Sequence, residues 1–228
     1  PLVRGMNYMD MQATDVKVNV QNASLTVPDA VRSAQPPRVT VMSQQLAPGV
    51  WLLAGGSHNS VAVEFKDFAA IVEAPLDDAR TLAVIAETKR LIPGKQIKYV
   101  VNTHHHWDHA GGLRAAYAEG ATIVTNEQNK NFYERVILVP QSRTLSPDRL
   151  SMAPFATTGP GPGHLETYRE RHAISDGTQS IISYNVTGFN HAQDMAIVYL
   201  PAAKILINAD MGPPPAGTPA ANVNANTI

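Results

Sequence analysis

Short apolar runs separated by glycine, proline and asparagine fill the chain from residue 38 onward, which is the pattern of a meander of β-strands. We predict strands in the runs RVTVMSQ, GVWLLAGG, SVAVEFK and FAAIVEAP. Residues 77–94 then show a helical period, with Asp77 near the start and Pro93-Gly94 at the end as typical helix boundaries. The residues predicted to share one face of this helix are Leu82, Ile85, Ala86 and Ile92.

The second half of the chain continues with alternating strands and helices. The run IKYVV, residues 97–101, is predicted to be a buried strand that leads directly into a polar stretch. A short helix in HAGGLRAAYAEG, a strand in ATIVT and a helix in NEQNKNFYERVI follow. Three further strands are predicted in QSIISYNVTG, MAIVYLP and KILINAD.

The same pattern suggests how the chain is divided. Residues 1–37 alternate weakly, with one possible strand in DVKVNV, and are expected to be an N-terminal extension or linker. Residues 38–228 are expected to form one domain, with an insertion at about 140–163 that is rich in proline, serine and glycine. A surface insertion and a lid or substrate loop are equal alternatives for it. The run MGPPPAGTPAANVNANTI closes no element, so we expect a C-terminally incomplete domain.

Composition limits the classes of function. Hydrophobic residues make up 44% of the chain and charged residues 16%, which predicts a globular protein. The net charge of −1 creates no field for nucleic acid, and no apolar run is long enough to span a membrane. We therefore expect a small-molecule substrate and no nucleic-acid partner. An upstream signal peptide would place the protein in the periplasm or outside the cell, which we expect; the cytoplasm is the alternative.

The densest chemistry lies in NTHHHWDHAGG, residues 102–112, which contains four of the eight histidines. Residues two apart on an extended segment point the same way, so His104 and His106 project together while His105 faces the other side. Two imidazoles on one side can bind one divalent cation at ordinary zinc–nitrogen distances. Because the chain contains no cysteine, thiolate ligands are excluded.

The continuation of this stretch predicts a second, adjacent cation. Asp108 is expected to cap the following helix, and His109 lies in its first turn, which brings a carboxylate and a third imidazole toward the first metal. Gly111 and Gly112 let the backbone pass close by. A tag remnant, a solvated loop and a structural zinc are the other interpretations. Tags lie at chain ends and structural zinc sites usually use cysteine, so we favour a catalytic metal site.

The motif THHHWDHAGG after an apolar strand resembles the signature of the metallo-β-lactamase-fold superfamily of metallohydrolases. The likeness covers about residues 38–210 in the order of elements. It implies an α/β fold of the α+β type, namely a four-layer αββα sandwich of two similar halves, of which the second is expected to be incomplete here. It also implies that the metals lie at one edge of the sandwich, held by loops at strand ends.

The resemblance also implies which residues hold the first metal. His104 and His106 match two ligands, and His191 in TGFNHAQDMAIVYLP takes the place of the third. Trp107, inside the motif, either lines the pocket or anchors the loop in the core. His58 in GGSHNS precedes a strand that could bring it near the metal face, but a lone loop histidine is more often simply exposed, so it is not predicted to be a ligand.

For the second metal, the family pattern matches Asp108 and His109. Asp210, at the end of KILINAD, either bridges both metals or has no metal role. The family closes this site with one more histidine, and no histidine follows His191, so the second metal is expected to be weak or absent unless the sequence continues. Glu73 stands where many relatives have a supporting aspartate; it either supports the site or is a charge at a strand end.

Together these features predict a zinc-dependent hydrolase in which a metal-bound hydroxide attacks an ester, lactone, thioester or amide bond, β-lactams included. Two zinc ions are expected in a complete site, with iron as the alternative cofactor. Asp108 is the predicted catalytic residue, which orients the nucleophile and takes up a proton. The alternatives are an iron-dependent oxygenase of the same fold and a metal-binding protein without catalysis. Serine hydrolysis has no support, because no Gly-x-Ser-x-Gly elbow occurs.

Overall fold

The structure, a computed structural model, describes residues 2–3, 6–7, 12–21, 26–35, 38–141, 147–152 and 163–212. The chain divides into two compact units after Arg38. The first contains strands β1 (Leu2–Val3) and β2 (Met6–Asn7) and the one-turn helix α1 (Asp29–Arg32). The prediction of a strand in DVKVNV is wrong. Residues 15–20 are irregular, and their valines are exposed to solvent rather than buried in a core.

The second unit contains a seven-stranded sheet in which the strands follow chain order. Its strands are β3 (Met42–Ala47), β4 (Val50–Ala54), β5 (Ser60–Glu64), β6 (Phe68–Val72), β7 (Gln96–Val101), β8 (Thr122–Asn126) and β9 (Leu165–Tyr168). Strands β3 to β6 pair antiparallel, and β6 to β9 pair parallel. The predicted meander is confirmed, although its first strand begins at Met42 rather than Arg38.

Helices connect the parallel strands of this sheet. They are α2 (Asp78–Leu91), α3 (Trp107–Ala110), α4 (Leu113–Ala118), α5 (Lys130–Phe132) and α6 (Arg149–Met152), with a 3-10 turn at Glu127–Asn129 and a π-helical turn at Tyr133–Ile137. Helix α2 begins as predicted, since Asp77 Oδ1 accepts the amide hydrogen of Arg80 at 2.8 Å. Its predicted face is only partly right: Ile85 and Ile92 are buried, whereas Ala86 is exposed and Val84 takes the inward position.

The predicted insertion at 140–163 is described only in part, since residues 142–146 and 153–162 lie outside the described residues. The part between them is packed. Helix α6 lies there, and Asp148, which is buried, receives two hydrogen bonds from the Arg114 guanidinium at 2.8 and 3.0 Å. The choice between a surface insertion and a lid is therefore untested.

A second, four-stranded antiparallel sheet follows, again in chain order. Its strands are β10 (Arg171–Ser175), β11 (Ser180–Asn185), β12 (Ala196–Leu200) and β13 (Ile205–Asn208). The last three were predicted. Strands β9 and β10 were missed because their sequence, LETYRERHAIS, is dominated by polar side chains, and Ile174 is the one fully buried residue of β10.

Alternation of side chains along the larger sheet gives it two different apolar faces. One face, with Leu52 and Val61, shares a core with Val198 and Ile207 of the smaller sheet. The opposite face, represented by Leu53, packs against helices α2 and α4 and against Tyr133. The predicted sandwich is thus confirmed. No helix occurs between residues 163 and 212, so the described residues contain an outer helix layer on the larger sheet and none on the smaller one. Among the described helices, none is long and apolar enough to cross a membrane.

Candidate metal centre

One edge of the sandwich gathers the loops that carry the candidate ligands. Strands β6 and β7 are parallel, so their carboxyl ends meet at the same edge. The β4–β5 loop lies there too, because Leu53 pairs with Ser60 beside the end of β6. On the smaller sheet, the β11–β12 loop and the end of β13 adjoin the start of β12. A hydrogen bond from the Ala196 amide to the Thr103 carbonyl, 2.9 Å, ties this sheet to the motif.

Four side chains from both sheets form the first donor group, which consists of His104, His106, His191 and Asp210. His106 Nδ1 lies 3.0 Å from His191 Nε2. Asp210 Oδ2 lies 3.0 Å from His191 Nε2 and 3.6 Å from His104 Nε2. Donor atoms around one tetrahedral zinc ion are roughly 3.3 Å apart. The spacing of this group is therefore that of the ligands of one cation.

His104 is the most constrained member of this group. The ring is fully buried, and its Nδ1 lies 3.1 Å from Thr103 Oγ1. Burial, reinforced by the neighbouring imidazoles of His109 and His106, lowers the pKa of His104 to about 3, so the ring is neutral. Its buried Nε2 has no hydrogen-bond partner among the described residues. A neutral imidazole with a lone pair held in this way is suited to a metal ion.

The second donor group contains Asp108, His109 and also His58, with one ligand atom of each within 4.8 Å of the others. Asp108 Oδ2 lies 3.2 Å from His58 Nε2 and 4.0 Å from His109 Nε2. The expected helix cap at Asp108 is wrong. Helix α3 begins two residues earlier than expected, at Trp107, with His106 at the capping position, which leaves the Asp108 carboxylate directed to this group.

Asp210 connects the two groups through one oxygen. Its Oδ2 lies 3.0 Å from His109 Nε2, in addition to its contacts with the imidazoles of the first group. The hydrogen bond from His109 keeps the pKa of Asp210 low, at about 2, despite partial burial. The backbone of Asp210 is left-handed, with φ of 59°, a conformation that costs free energy in a non-glycine residue. Asp210 Oδ2 therefore lies between the two donor groups.

Glu73 contacts the second group from the buried side, through His109. The sequence alone left open whether Glu73 supports the site or is only a charge at a strand end. Its Oε2 lies 2.6 Å from His109 Nδ1, and its Oε1 accepts the Thr103 amide at 2.8 Å. Both Glu73 and His109 are buried. Burial opposes charge on His109, but the hydrogen bonds to Asp210 and Glu73 outweigh it and raise its pKa to about 10. Glu73 thus fixes the ring so that Nε2 faces Asp210.

The motif backbone is held tightly against α2, as the two glycines predicted. A Cβ at Gly111 would lie 2.0 Å from the carbonyl oxygen of Leu76, and one at Gly112 would lie 1.8 Å from Thr81 Oγ1. The Gly112 amide donates to the carbonyl of Ala74 at 2.9 Å. No side chain larger than hydrogen fits at either position without a shift of the helix.

Two other residues of the motif lie outside both groups. His105 faces away, as predicted, and its Nδ1 lies 2.7 Å from the buried carboxylate of Asp194. Trp107 is 63% exposed, so it does not anchor the loop in the core. It lines an apolar pocket of about 520 Å³ together with Ala110 and Met152, and none of the seven donor-group residues contributes to this pocket.

The residues present fit a divalent cation of intermediate softness. The donors are imidazole nitrogens and carboxylate oxygens, which suit zinc and also iron. The buried Nε2 of His104 has no hydrogen-bond partner among the described residues, and a bound cation would accept its lone pair. His58 is the residue that sequence reasoning missed. The antiparallel pairing of β4 with β5 was the available signal, because it brings their loop to the metal edge.

Comparison with known families agrees with this geometry. The family model of the metallo-beta-lactamase superfamily matches residues 53–222, which is more than half of the chain. The chain therefore belongs to the metallo-beta-lactamase superfamily. No curated protein matches the sequence.

Several solved structures with the same fold are metallo-beta-lactamases of low sequence identity. FIM-1 from Pseudomonas aeruginosa, in its mono-zinc form, is 23% identical with a TM-score of 0.56, over 82% of this chain and 76% of its own. The enzyme from Pontibacter korlensis is 19% identical with a TM-score of 0.55, over 80% and 79%. DIM-1 is 18% identical with a TM-score of 0.56, over 75% and 70%. At these identities the likeness shows the fold alone.

Proposed function

We propose that this protein is a zinc-dependent hydrolase that acts on an ester, lactone, thioester or amide bond of a small molecule, β-lactams included. The observation that carries the proposal is the convergence of two donor groups on one carboxylate oxygen, Asp210 Oδ2. Membership of the superfamily supports a metal-dependent hydrolase. The fold likeness to metallo-beta-lactamases does not select the substrate, because one fold hosts many activities.

In this proposal the ligands follow the two donor groups. His104, His106, His191 and Asp210 would hold the first zinc ion, and Asp108, His109 and Asp210 would hold the second. When bound, zinc would supply Lewis acidity toward the scissile carbonyl oxygen and would lower the pKa of water toward neutrality.

The residues of the chain have separate tasks in this reaction. Asp108, with a side chain 43% exposed, orients the nucleophilic water through its carboxylate and passes its proton toward solvent. Glu73 keeps the His109 ring in the orientation that directs Nε2 at the site. The buried face of His104 excludes solvent from the inner side of the site.

A metal-controlled hydrolysis assay tests this function. The substrates are nitrophenyl esters, acyl lactones, an acyl thioester and a β-lactam. Each is incubated with zinc-loaded protein, with protein whose metal has been removed by a chelator, and with that protein after zinc has been restored. We expect at least one substrate to be hydrolysed, with loss on chelation and recovery on adding zinc. Zinc-bound protein that hydrolyses none of the four classes would contradict the proposal, as would iron-dependent consumption of oxygen in the same assay.

A further inference from the structure

His58 lies at the metal edge although it belongs to a loop that precedes the motif by more than forty residues. The side chain is 16% exposed and its Nε2 lies 3.2 Å from Asp108 Oδ2. Its ring packs edge-on against that of His109, with centroids 4.8 Å apart. The three side chains therefore face a common point, from which Asp108 opens to solvent.

The tautomer needed for metal binding is available to His58. Its Nδ1 lies 2.7 Å from Ser57 Oγ, which can accept the ring hydrogen there. With the hydrogen on Nδ1, the lone pair of Nε2 faces Asp108 and His109. The three ligand atoms lie within 4.8 Å of one another, and the 3.2 Å between His58 Nε2 and Asp108 Oδ2 matches the roughly 3.3 Å between ligand atoms of one tetrahedral zinc ion.

The backbone of this loop is fixed by a buried arginine rather than left to solvent. The Arg80 guanidinium donates to the carbonyl oxygens of Thr40 at 2.9 Å, Leu53 at 3.0 Å and His58 at 3.4 Å. Gly55, with φ of 140°, leaves no room for a side chain, because a Cβ there would lie 2.2 Å from the Thr40 carbonyl oxygen. Arg80 thus ties the His58 backbone to the end of β4 and to Thr40, which restricts the position of His58.

We infer that His58 is a ligand of the second metal ion, together with Asp108, His109 and Asp210. This inference rests on the proposed function for the presence of the metals, but it assigns a ligand that the family pattern does not use. In the family pattern the last histidine ligand follows the first-metal histidines, whereas His58 precedes the motif. The second site then has four donors among the described residues.

The alternative is that His58 only donates a hydrogen bond to Asp108. His58→Gln separates the two roles, because its amide can still donate to the carboxylate but is a poor zinc ligand. His58→Ala removes both roles. The matched control is His172→Gln, since the His172 side chain is also 16% exposed and its Nε2 also pairs with a half-exposed carboxylate, that of Glu166, at 2.7 Å.

The test is calorimetric titration of metal-free protein with zinc, together with elemental analysis after gel filtration. We expect the original chain and His172→Gln to bind two zinc ions. Both His58 variants should bind the first ion within about twofold of the original affinity. They should bind the second ion at least about 100-fold more weakly, as expected for loss of a metal ligand or its close support.

Each result has a defined meaning. Retention of second-ion affinity in His58→Gln, or a single zinc equivalent in the original chain, would overturn the assignment of His58 and leave the first site intact. If the protein binds no zinc, or if a His106→Ala variant binds as much zinc as the original chain, the proposed function itself would be overturned. If His58→Ala does not fold, the His58→Gln variant alone decides between ligand and hydrogen-bond donor.

Discussion

The two donor groups at the metal edge are built in different ways. The first draws His104 and His106 from the larger sheet, but His191 and Asp210 come from the smaller sheet. The second, with His58, Asp108 and His109, belongs entirely to the larger sheet and its connections. A cation in the first group would therefore tie the two sheets together, whereas the second group takes its three side chains from one sheet. Among the described residues, Asp210 of the smaller sheet contacts the second group, through the 3.0 Å approach of its Oδ2 to His109 Nε2.

Removal of metal should have the largest effect, because it releases the connection between the sheets. A ligand that binds only the folded state at a free concentration 1,000 times its dissociation constant stabilises that state by about 4 kcal/mol. We expect chelation to lower the free energy of unfolding by an amount of this order, and added zinc to restore it. Chemical denaturation with and without chelator measures the difference. Equal unfolding curves would contradict a cation held between the sheets.

Asp210→Asn should weaken both groups at once. The amide has no negative charge, so its oxygen is a weaker metal ligand for both sites than the carboxylate oxygen that it replaces. We expect each zinc equivalent to bind about 100-fold more weakly in a calorimetric titration. Asp67→Asn, in an exposed turn between β5 and β6, is the control and should bind zinc as the original chain does. Weakening of one equivalent only would show that Asp210 does not bridge.

Glu73→Gln should affect the second group and spare the first. The amide oxygen can still accept from the Thr103 backbone, but its NH2 group cannot accept the His109 Nδ1 hydrogen. The His109 ring loses its fixed orientation, and we expect the second zinc equivalent to bind about 10- to 100-fold more weakly. Glu166→Gln removes the carboxylate beside His172, a comparable pair elsewhere, and serves as control. An unchanged second equivalent in Glu73→Gln would contradict the orienting role.

His105→Gln should have the smallest effect, although His105 lies between two ligands in sequence. Its ring faces Asp194 and not the donor groups, and the amide of Gln can still donate to that carboxylate. We expect both zinc affinities to stay within about twofold, or roughly 0.5 kcal/mol. Elemental analysis and titration check this. A large loss of zinc would show that the alternation along the motif does not decide which histidines bind.

Much of this site follows from local sequence. The alternation of residues after an apolar strand separates His104 and His106 from His105, and the structure places them accordingly. The resemblance to a known fold supplied His191 and Asp210, which no local pattern marks. Their assignment as ligands remains a prediction, but the structure brings them to within hydrogen-bonding distance of each other.

What the sequence could not provide depends on pairing between distant segments. The contact of Glu73 with His109 and the approach of His58 to Asp108 both require the register of β4 to β7, which no single run of residues determines. Strands β9 and β10 were missed for a similar reason. Their polar side chains face solvent, and their place in the sheets comes from backbone pairing with β8 and β11.

The central claim, that the crowded histidines hold catalytic metal, is tested most directly by the zinc content of the purified protein and of its His106→Ala variant. The account predicts about two zinc ions per chain, as for a dinuclear site, falling to one or fewer when this imidazole is removed. The zinc that the variant retains would then be the ion bound by the second group. No zinc in either protein, or the same zinc content in both, would contradict the account.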